Sequence, residues 1–416
     1  QELIYMEVYM EVYMDTGDTA WILTSSALVL FMTPGLAFFY GGMVRTKNAL
    51  AMLMKNLVAL GVITVVWMLV GFSLAFGEDI GGIIGNLHYF GLFNLGQSND
   101  AFGLTIPDNV FMIFQMMFAI ITPALIAGAV AERMKFSAWV IFIALWSIIV
   151  YSPMAHMVWG GGFIGNNIEA LDFAGGLVVH INAGAAALAA IIVLGKRKDS
   201  GTDPVRPSLV LLGAGVLWFG WFGFNAGSAL AADNIAANAF VTTQMAAGAA
   251  ALGWIAYEAL RGKKPTSIGF ASGAVAGLVA ITPAAGFVTP FSALLIGIAA
   301  GVICPAAVQL KERFNYDDSL DVVAVHLIGG VVGALMLGLL ADVAVNSAGA
   351  NGLFLGNADL FVNQLVAIII TLAYSFILSY AIIKLIDITI GIRVSSDEED
   401  AGLNMSLHGE NFAGKE

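Results

Sequence analysis

Charge is what this sequence has least of. Only 11% of its 416 residues are Asp, Glu, Lys or Arg, whereas 59% are Ala, Val, Ile, Leu, Met, Phe, Trp, Tyr or Cys. Soluble globular domains carry roughly a quarter of their residues charged, so this chain cannot cover itself with groups that water solvates. With a mean hydropathy of +0.88, it reads as an integral membrane protein. Soluble enzymes, nucleic-acid binders and secreted disulfide scaffolds are excluded, and the net charge of -12 argues separately against nucleic acid. Cysteine is nearly absent: Cys304 stands alone beside Pro305 in an apolar stretch, which rules out an intrachain disulfide and points to a packed thiol. Glycine is abundant, with 48 residues, and at that density lets packed membrane helices approach closely.

Basic residues are missing from particular places. Apolar runs lie at 19–41, 49–76, 110–131, 136–154, 172–195, 208–230, 241–260, 267–287, 291–310, 321–341 and 360–390, which predicts eleven spans of about 20 residues each. The gaps at 77–109, 155–171, 231–240, 288–290 and 342–359 contain no Lys or Arg. All 17 basic residues fall in or beside the alternate gaps and the C-terminal end, from Arg45 and Lys47, with Lys55 just inside the next helix, to Arg393 and Lys415. By the positive-inside rule this places the N-terminus outside and the C-terminus in the cytoplasm of a cell membrane protein.

The expected organisation is an extracytoplasmic extension over 1–18 and a first five-helix repeat over 19–195. A cytoplasmic loop over 196–207 leads to a second repeat over 208–341, an outer loop with the eleventh helix over 342–390, and a cytoplasmic tail over 391–416. The fold class is therefore an all-α integral membrane protein with an inverted five-plus-five repeat and one extra helix, because two five-span halves must run in opposite senses. The repeated Tyr-Met-Glu-Val unit near residues 5–14 is too short and too charged to span and lacks the basic n-region of a signal peptide.

Two histidines stand deep in apolar runs. His180 follows Asp172 by eight residues and His326 follows Asp318 by eight. Eight residues at 1.5 Å rise is about 12 Å, which sets each imidazole near the middle of a hydrocarbon layer about 30 Å thick. Ionisable groups at that depth mark function by default. Neutral imidazoles donate one hydrogen bond and accept another, which suits a small polar molecule better than a metal ion, since further ligands are missing. No lysine stands in mid-span to form a Schiff base. Asp172 is placed to cap its helix by accepting from the amides of Ala174 or Gly175, and Asp318 reads the same way at the inner end. His88 and His156 fall in outer loops and His408 in the tail, with no transport role expected. No cofactor is expected, and no serine–histidine arrangement of a membrane hydrolase is present.

Longer strings then carry a family likeness. Asp172-Phe-Ala-Gly-Gly-Leu-Val-Val-His180 resembles a signature of the ammonium transporter (Amt/Mep/Rh) family. Ala155-His-Met-Val-Trp-Gly-Gly-Gly162, Gly220-Trp-Phe-Gly-Phe-Asn-Ala-Gly-Ser228, Ala131-Glu-Arg133, Ile281-Thr-Pro-Ala-Ala-Gly286 and Gly391-Ile-Arg-Val are similar to other family strings, and the likeness runs from about Trp21 to Gly414. It implies a homotrimer with one conduction path per protomer. It also implies that Trp159 and Ser228 frame an outer recruitment site, with Phe114 beside them and Asp172 nearby. Phe118 and Phe224 would form an aromatic gate, and His180 and His326 would line the pore. Position 177 departs from the pattern: it is Leu where some relatives carry a hydroxyl residue, so backbone amides must support Asp172. The implied partner at the cytoplasmic face is a PII-type signalling protein. A sensor that transports little and an electroneutral ammonia channel are the competing readings.

Overall fold

The computed structural model describes residues 13–96, 98–199 and 206–412. Most of the Tyr-Met-Glu-Val repeat, residues 200–205 of the basic loop and Lys415 lie outside the described residues. Among the described residues, ten helices are long and apolar enough to cross a membrane: Thr16–Met43, Thr46–Phe76, Asp108–Ile126, Phe136–Asn166, Gly176–Leu194, Pro207–Ala229, Asn234–Leu260, Pro290–Phe314, Val323–Leu340 and Ala358–Ile390. The eighth expected span is a shorter apolar helix, Ser267–Ile281. Its last expected residues form turns from Thr282 to Phe287, because Pro283 offers no amide to continue the ladder. The protein is thus a multi-pass helical membrane protein, and its outer surface carries exposed apolar side chains such as Phe31, Leu252, Ile377 and Ile388.

Two boundaries differ from expectation in ways that affect function. The fourth span continues through the predicted 155–171 connection as Ser152–Trp159 and Phe163–Asn166, so His156 lies in a helix and is fully buried rather than in an outer loop. The predicted loop over 77–109 contains a small antiparallel hairpin, Asp79–Ile80 with Ile84–Gly85.

The first helix packs along Pro207–Ala226, the helix that opens the second half. Glycine makes this contact possible: a Cβ at Gly213 would stand 2.3 Å from the backbone nitrogen of Phe39. The last long helix, Ala358–Ile390, braces Asn182–Leu194 and Gly329–Leu340. Among the described residues four π-helical turns interrupt the spans, at Trp67–Gly71, Ser147–Tyr151, Gly176–Ile181 and Val323–Ile328. The last two contain His180 and His326, consistent with the tendency of such turns to occur at functional sites.

The polar residues concentrate at the end of the bundle that carries Arg133. Glu132 is buried with a left-handed backbone, φ 69°. Its carboxylate accepts from Arg45 Nε at 3.0 Å, Asn48 Nδ2 at 2.8 Å and Arg197 Nη1 at 2.8 Å, which over-determines that conformation. Arg133 donates to the carbonyls of Gly195, Ala131 and Asp317. Lys55, expected at the rim of its helix, is buried, and its ammonium donates to the Met134 carbonyl at 2.8 Å. The tail docks here too, with Leu403 N donating to Asn48 Oδ1 and Asn404 Oδ1 accepting from Ala51 N.

Candidate functional site: a cavity, an aromatic pair and two histidines

At the opposite end a cavity of about 620 Å³ opens between the helices, lined by Phe76, Phe111, Gln115, Phe118, Trp159, Asp172 and Ser228 among others. The Asp172 turn organises its wall. Gly175 takes φ 122°, which a Cβ would oppose, and lets the backbone fold over the carboxylate. Oδ1 then accepts from the amides of Gly175 at 2.9 Å and Gly176 at 2.6 Å, and Oδ2 from Leu177 at 2.8 Å and Val178 at 3.1 Å. The expected cap on Gly175 is present, whereas Ala174 is not a donor because the turn tightens one residue later. All four bonds come from backbone, so a hydroxyl at position 177 is not needed to hold the carboxylate. Burial pushes the Asp172 carboxyl up to about 6, against the downward pull of those four amides.

The backbone of the same residue positions the tryptophan: Trp159 Nε1 donates to the Asp172 carbonyl at 2.8 Å. The strand of chain leading into the turn is clamped by Gln364 of the last long helix, whose Oε1 accepts from Leu171 N at 2.7 Å and whose Nε2 donates to Leu171 O at 2.9 Å. Phe173 N donates to Pro283 O at 3.1 Å. Gln364, a buried amide in an apolar helix, was missed by the sequence reading, although a lone Gln within a span is itself a signal. Across the cavity Ser228 Oγ donates to Phe224 O at 2.8 Å, which leaves its lone pairs free to accept.

The floor of the cavity is aromatic. Phe118 and Phe224 lie with ring centroids 4.3 Å apart, and Phe118 meets Trp159 edge-on at 6.2 Å. Phe114 is fully buried behind this layer, packed against Phe118 at 5.0 Å, and does not line the cavity. The cavity wall on that side is instead Phe111 and Gln115, three residues before and one residue after the expected position on the same helix. The aromatic wall of Phe76, Phe102 and Phe111 was also unforeseen; Phe76 and Phe111 stand 4.9 Å apart, brought together only by folding.

Below the aromatic pair lies a narrow space of about 10 Å³, lined by His180, His326, Trp221, Leu217, Leu36 and Ile121 among others, which is room for roughly one water-sized molecule. The two imidazoles stack at 5.4 Å and their Nδ1 atoms are 3.3 Å apart. One Nδ1 must donate and the other accept, so the two rings cannot both be protonated at Nδ1. His180 Nε2 is buried without a protein partner. Trp221 stacks on His180 at 5.5 Å and is itself fixed by Nε1 donating to Thr282 Oγ1 at 2.9 Å. Asp318 is buried at the start of the second histidine helix and accepts from Val323 N at 2.7 Å through one oxygen, while the other has no partner. Among the described residues no three His, Cys, Asp or Glu side chains come together to hold a metal ion.

Comparison with known proteins converges on one family. Residues 20–412 match the Ammonium Transporter Family. An ammonium transporter of Bacillus subtilis is 50% identical over 396 residues, covering 95% of this chain and 98% of the relative. The crystal structure of Candida albicans Mep2 superposes with a TM-score of 0.85 at 36% identity, over 92% of this chain and 88% of that one. A protein described as a sensor Amt protein superposes with a TM-score of 0.86 at 29% identity, over 94% of this chain and 98% of that one. With the family matched along nearly the whole chain and half of the residues shared with a curated relative, this protein belongs to the ammonium transporter family.

Proposed function

We propose that this protein transports ammonium by recruiting the cation at the Trp159 cavity, removing its proton, passing ammonia between His180 and His326 and relaying the released proton across separately, so that ammonium is re-formed on the far side and one charge moves. The observation that carries this reading is the succession of cavity, aromatic pair and histidine pair. Ammonium and potassium are alike in size and charge, so an open polar pore would separate them poorly. An apolar constriction penalises any intact ion by several kcal/mol or more. Only ammonium escapes that penalty by giving up a proton.

The indole face of Trp159 attracts a cation by about 0.5–2 kcal/mol, and Ser228 Oγ can accept one of its N–H bonds. Asp172 has its carboxylate oxygens engaged by four amides, so it acts by holding Trp159 and by its negative charge rather than as a direct ligand. Phe118 and Phe224 exclude hydrated ions. The unpartnered His180 Nε2 offers ammonia a hydrogen-bond partner where the remaining wall is mainly apolar.

The proposal extends to eleven crossings, counting Ser267–Ile281, with the Trp159 end outside and the Arg133 end in the cytoplasm, where the basic gaps place it. A homotrimer and a PII-type partner at the cytoplasmic face belong to the same reading. The sensor reading is favoured by one observation, the likeness to the sensor Amt protein.

Purified protein in proteoliposomes on a solid-supported membrane decides between them. Ammonium addition should evoke a current that potassium does not. Uptake without current would replace this mechanism with an electroneutral channel, and neither current nor uptake would leave the sensor.

A further inference from the structure

His156 is a buried imidazole that the transport path does not use. Its two ring nitrogens face two oxygens: Nδ1 lies 3.0 Å from the Ala75 carbonyl and Nε2 lies 2.9 Å from Asp79 Oδ1. A carbonyl oxygen can only accept. A carboxylic acid is intrinsically much more acidic than an imidazolium, and Asp79 is 43% exposed to solvent, so the shared proton belongs on the ring and the carboxylate can only accept as well. A neutral imidazole has one bare nitrogen, whose lone pair would then point at an oxygen lone pair. Turning the ring over would put carbon atoms against both acceptors and forfeit both bonds. The pattern is satisfied only when both nitrogens carry hydrogen. Glu78, the neighbouring acid, is engaged elsewhere, accepting from Asn86 Nδ2 at 2.9 Å.

The same carboxylate ties together the two walls of the cavity. Asp79 also accepts from Gly82 N at 2.8 Å, and Gly82 O accepts from Phe163 N at 2.9 Å, just past Trp159. His156 O accepts from the amides of Gly160 and Gly162, each at 3.0 Å. His156 lies three residues before Trp159 in the same helix, and its Ala75 partner precedes the cavity residue Phe76.

We propose that His156 is an imidazolium paired with Asp79, and that it is a positioning residue: it holds the Trp159 helix against the Ala75–Gly85 segment and so sets the affinity of the cavity for ammonium. The pair is neutral overall and therefore does not repel the incoming cation. The affinity half of this inference rests on the recruitment reading above.

The test combines spectroscopy and kinetics on the full chain in liposomes. Solid-state NMR of 15N-histidine-labelled protein should show an imidazole with N–H character at both nitrogens, and Asp79→Asn should convert one of them to a bare nitrogen. In the same variant the apparent KM for ammonium should rise about tenfold, the size of one lost charge-assisted hydrogen bond, with the maximal rate kept within about twofold. His156→Gln, which can satisfy only one side, should give the same split if it folds. A wild-type His156 with one bare nitrogen overturns the ion pair. An unchanged KM in Asp79→Asn, while Trp159→Leu raises it, overturns the positioning role. An unchanged KM in Trp159→Leu itself overturns the recruitment reading, and the affinity half falls with it; the NMR result still judges the ion pair.

Discussion

Asp172 and Asp318 stand at the same spacing from a buried histidine, each ahead of a π-helical turn, yet they are held very differently. Asp172 takes four backbone amides on its two oxygens. Asp318 takes Val323 N at 2.7 Å through Oδ2, with Val322 N contributing beside it, and leaves Oδ1 without a partner. Burial and the neighbouring charge of Asp321 push its carboxyl up to about 7. The lesson is that a repeated sequence spacing preserves a local scaffold without preserving its electrostatics. One end has been built into an organising centre for the cavity, with Trp159 attached to its backbone, while the other keeps the cap in reduced form. A left-handed residue stands three positions on in both turns, but the two differ in degree: Gly175 takes a φ of 122° that a side chain would oppose and wraps the turn around Asp172, whereas Asp321 takes a φ of 61°.

The largest effect should come from Asp172→Ala. It strips up to four buried amides of their acceptor, each costing about 1–3 kcal/mol when left unsatisfied, and it loosens the Trp159 anchor. Ammonium-evoked current in proteoliposomes should fall by about 100-fold or more with the protein still in the membrane. Near-normal current would abolish the contrast drawn here.

The histidines provide the next test. His180 stacks on Trp221, Phe224 and His326, whereas the only aromatic stacking partner of His326 among the described contacts is His180. His180→Ala should therefore lower transport more than His326→Ala, roughly tenfold against a few-fold, with potassium exclusion weakened in both. Equal effects would mean the rings act only as a pair. Smaller still, Asp318→Asn should change the transport rate by less than about threefold near neutral pH, because an amide oxygen can still accept from the Val322 and Val323 amides and burial already disfavours the charge there.

The smallest expected effect concerns stability at the Arg133 end. Burial opposes ionisation of Asp317, but the Arg197 guanidinium carries its carboxyl down to about 2 from the ordinary 3.8, and Glu132 is likewise lowered through Arg45, Asn48 and Arg197. A depressed folded-state value means a contribution that is complete above the ordinary carboxylate range and lost as pH falls through the depressed one. Melting temperature in detergent should therefore hold from pH 7 to about 4.5 and decline below it, with a shallower decline in Arg197→Ala.

Much of the proposed path is drawn from the chain itself. Asp172, His180 and His326 announce themselves because an ionisable group costs several kcal/mol among apolar residues. Trp159, Ser228, Phe118 and Phe224 were reachable only through family likeness, since an aromatic at helical spacing looks like ordinary packing until its neighbour from another helix is known. Phe114 shows the limit: its string matched, but folding turned its ring behind Phe118. His156 was misplaced because the Gly160-Gly161-Gly162 run resembles a loop, whereas the helix persists to Trp159.

The sequence by itself determined that this is a membrane protein and where most spans run, because burial in lipid is decided residue by residue from hydropathy and length. Tertiary structure alone decided what those residues do. The 3.3 Å approach of two imidazoles 146 positions apart, the clamp of Gln364 on Leu171 and the pairing of His156 with Asp79 all depend on which helix faces which. That choice is made by packing between helices, and no local pattern in the chain encodes it.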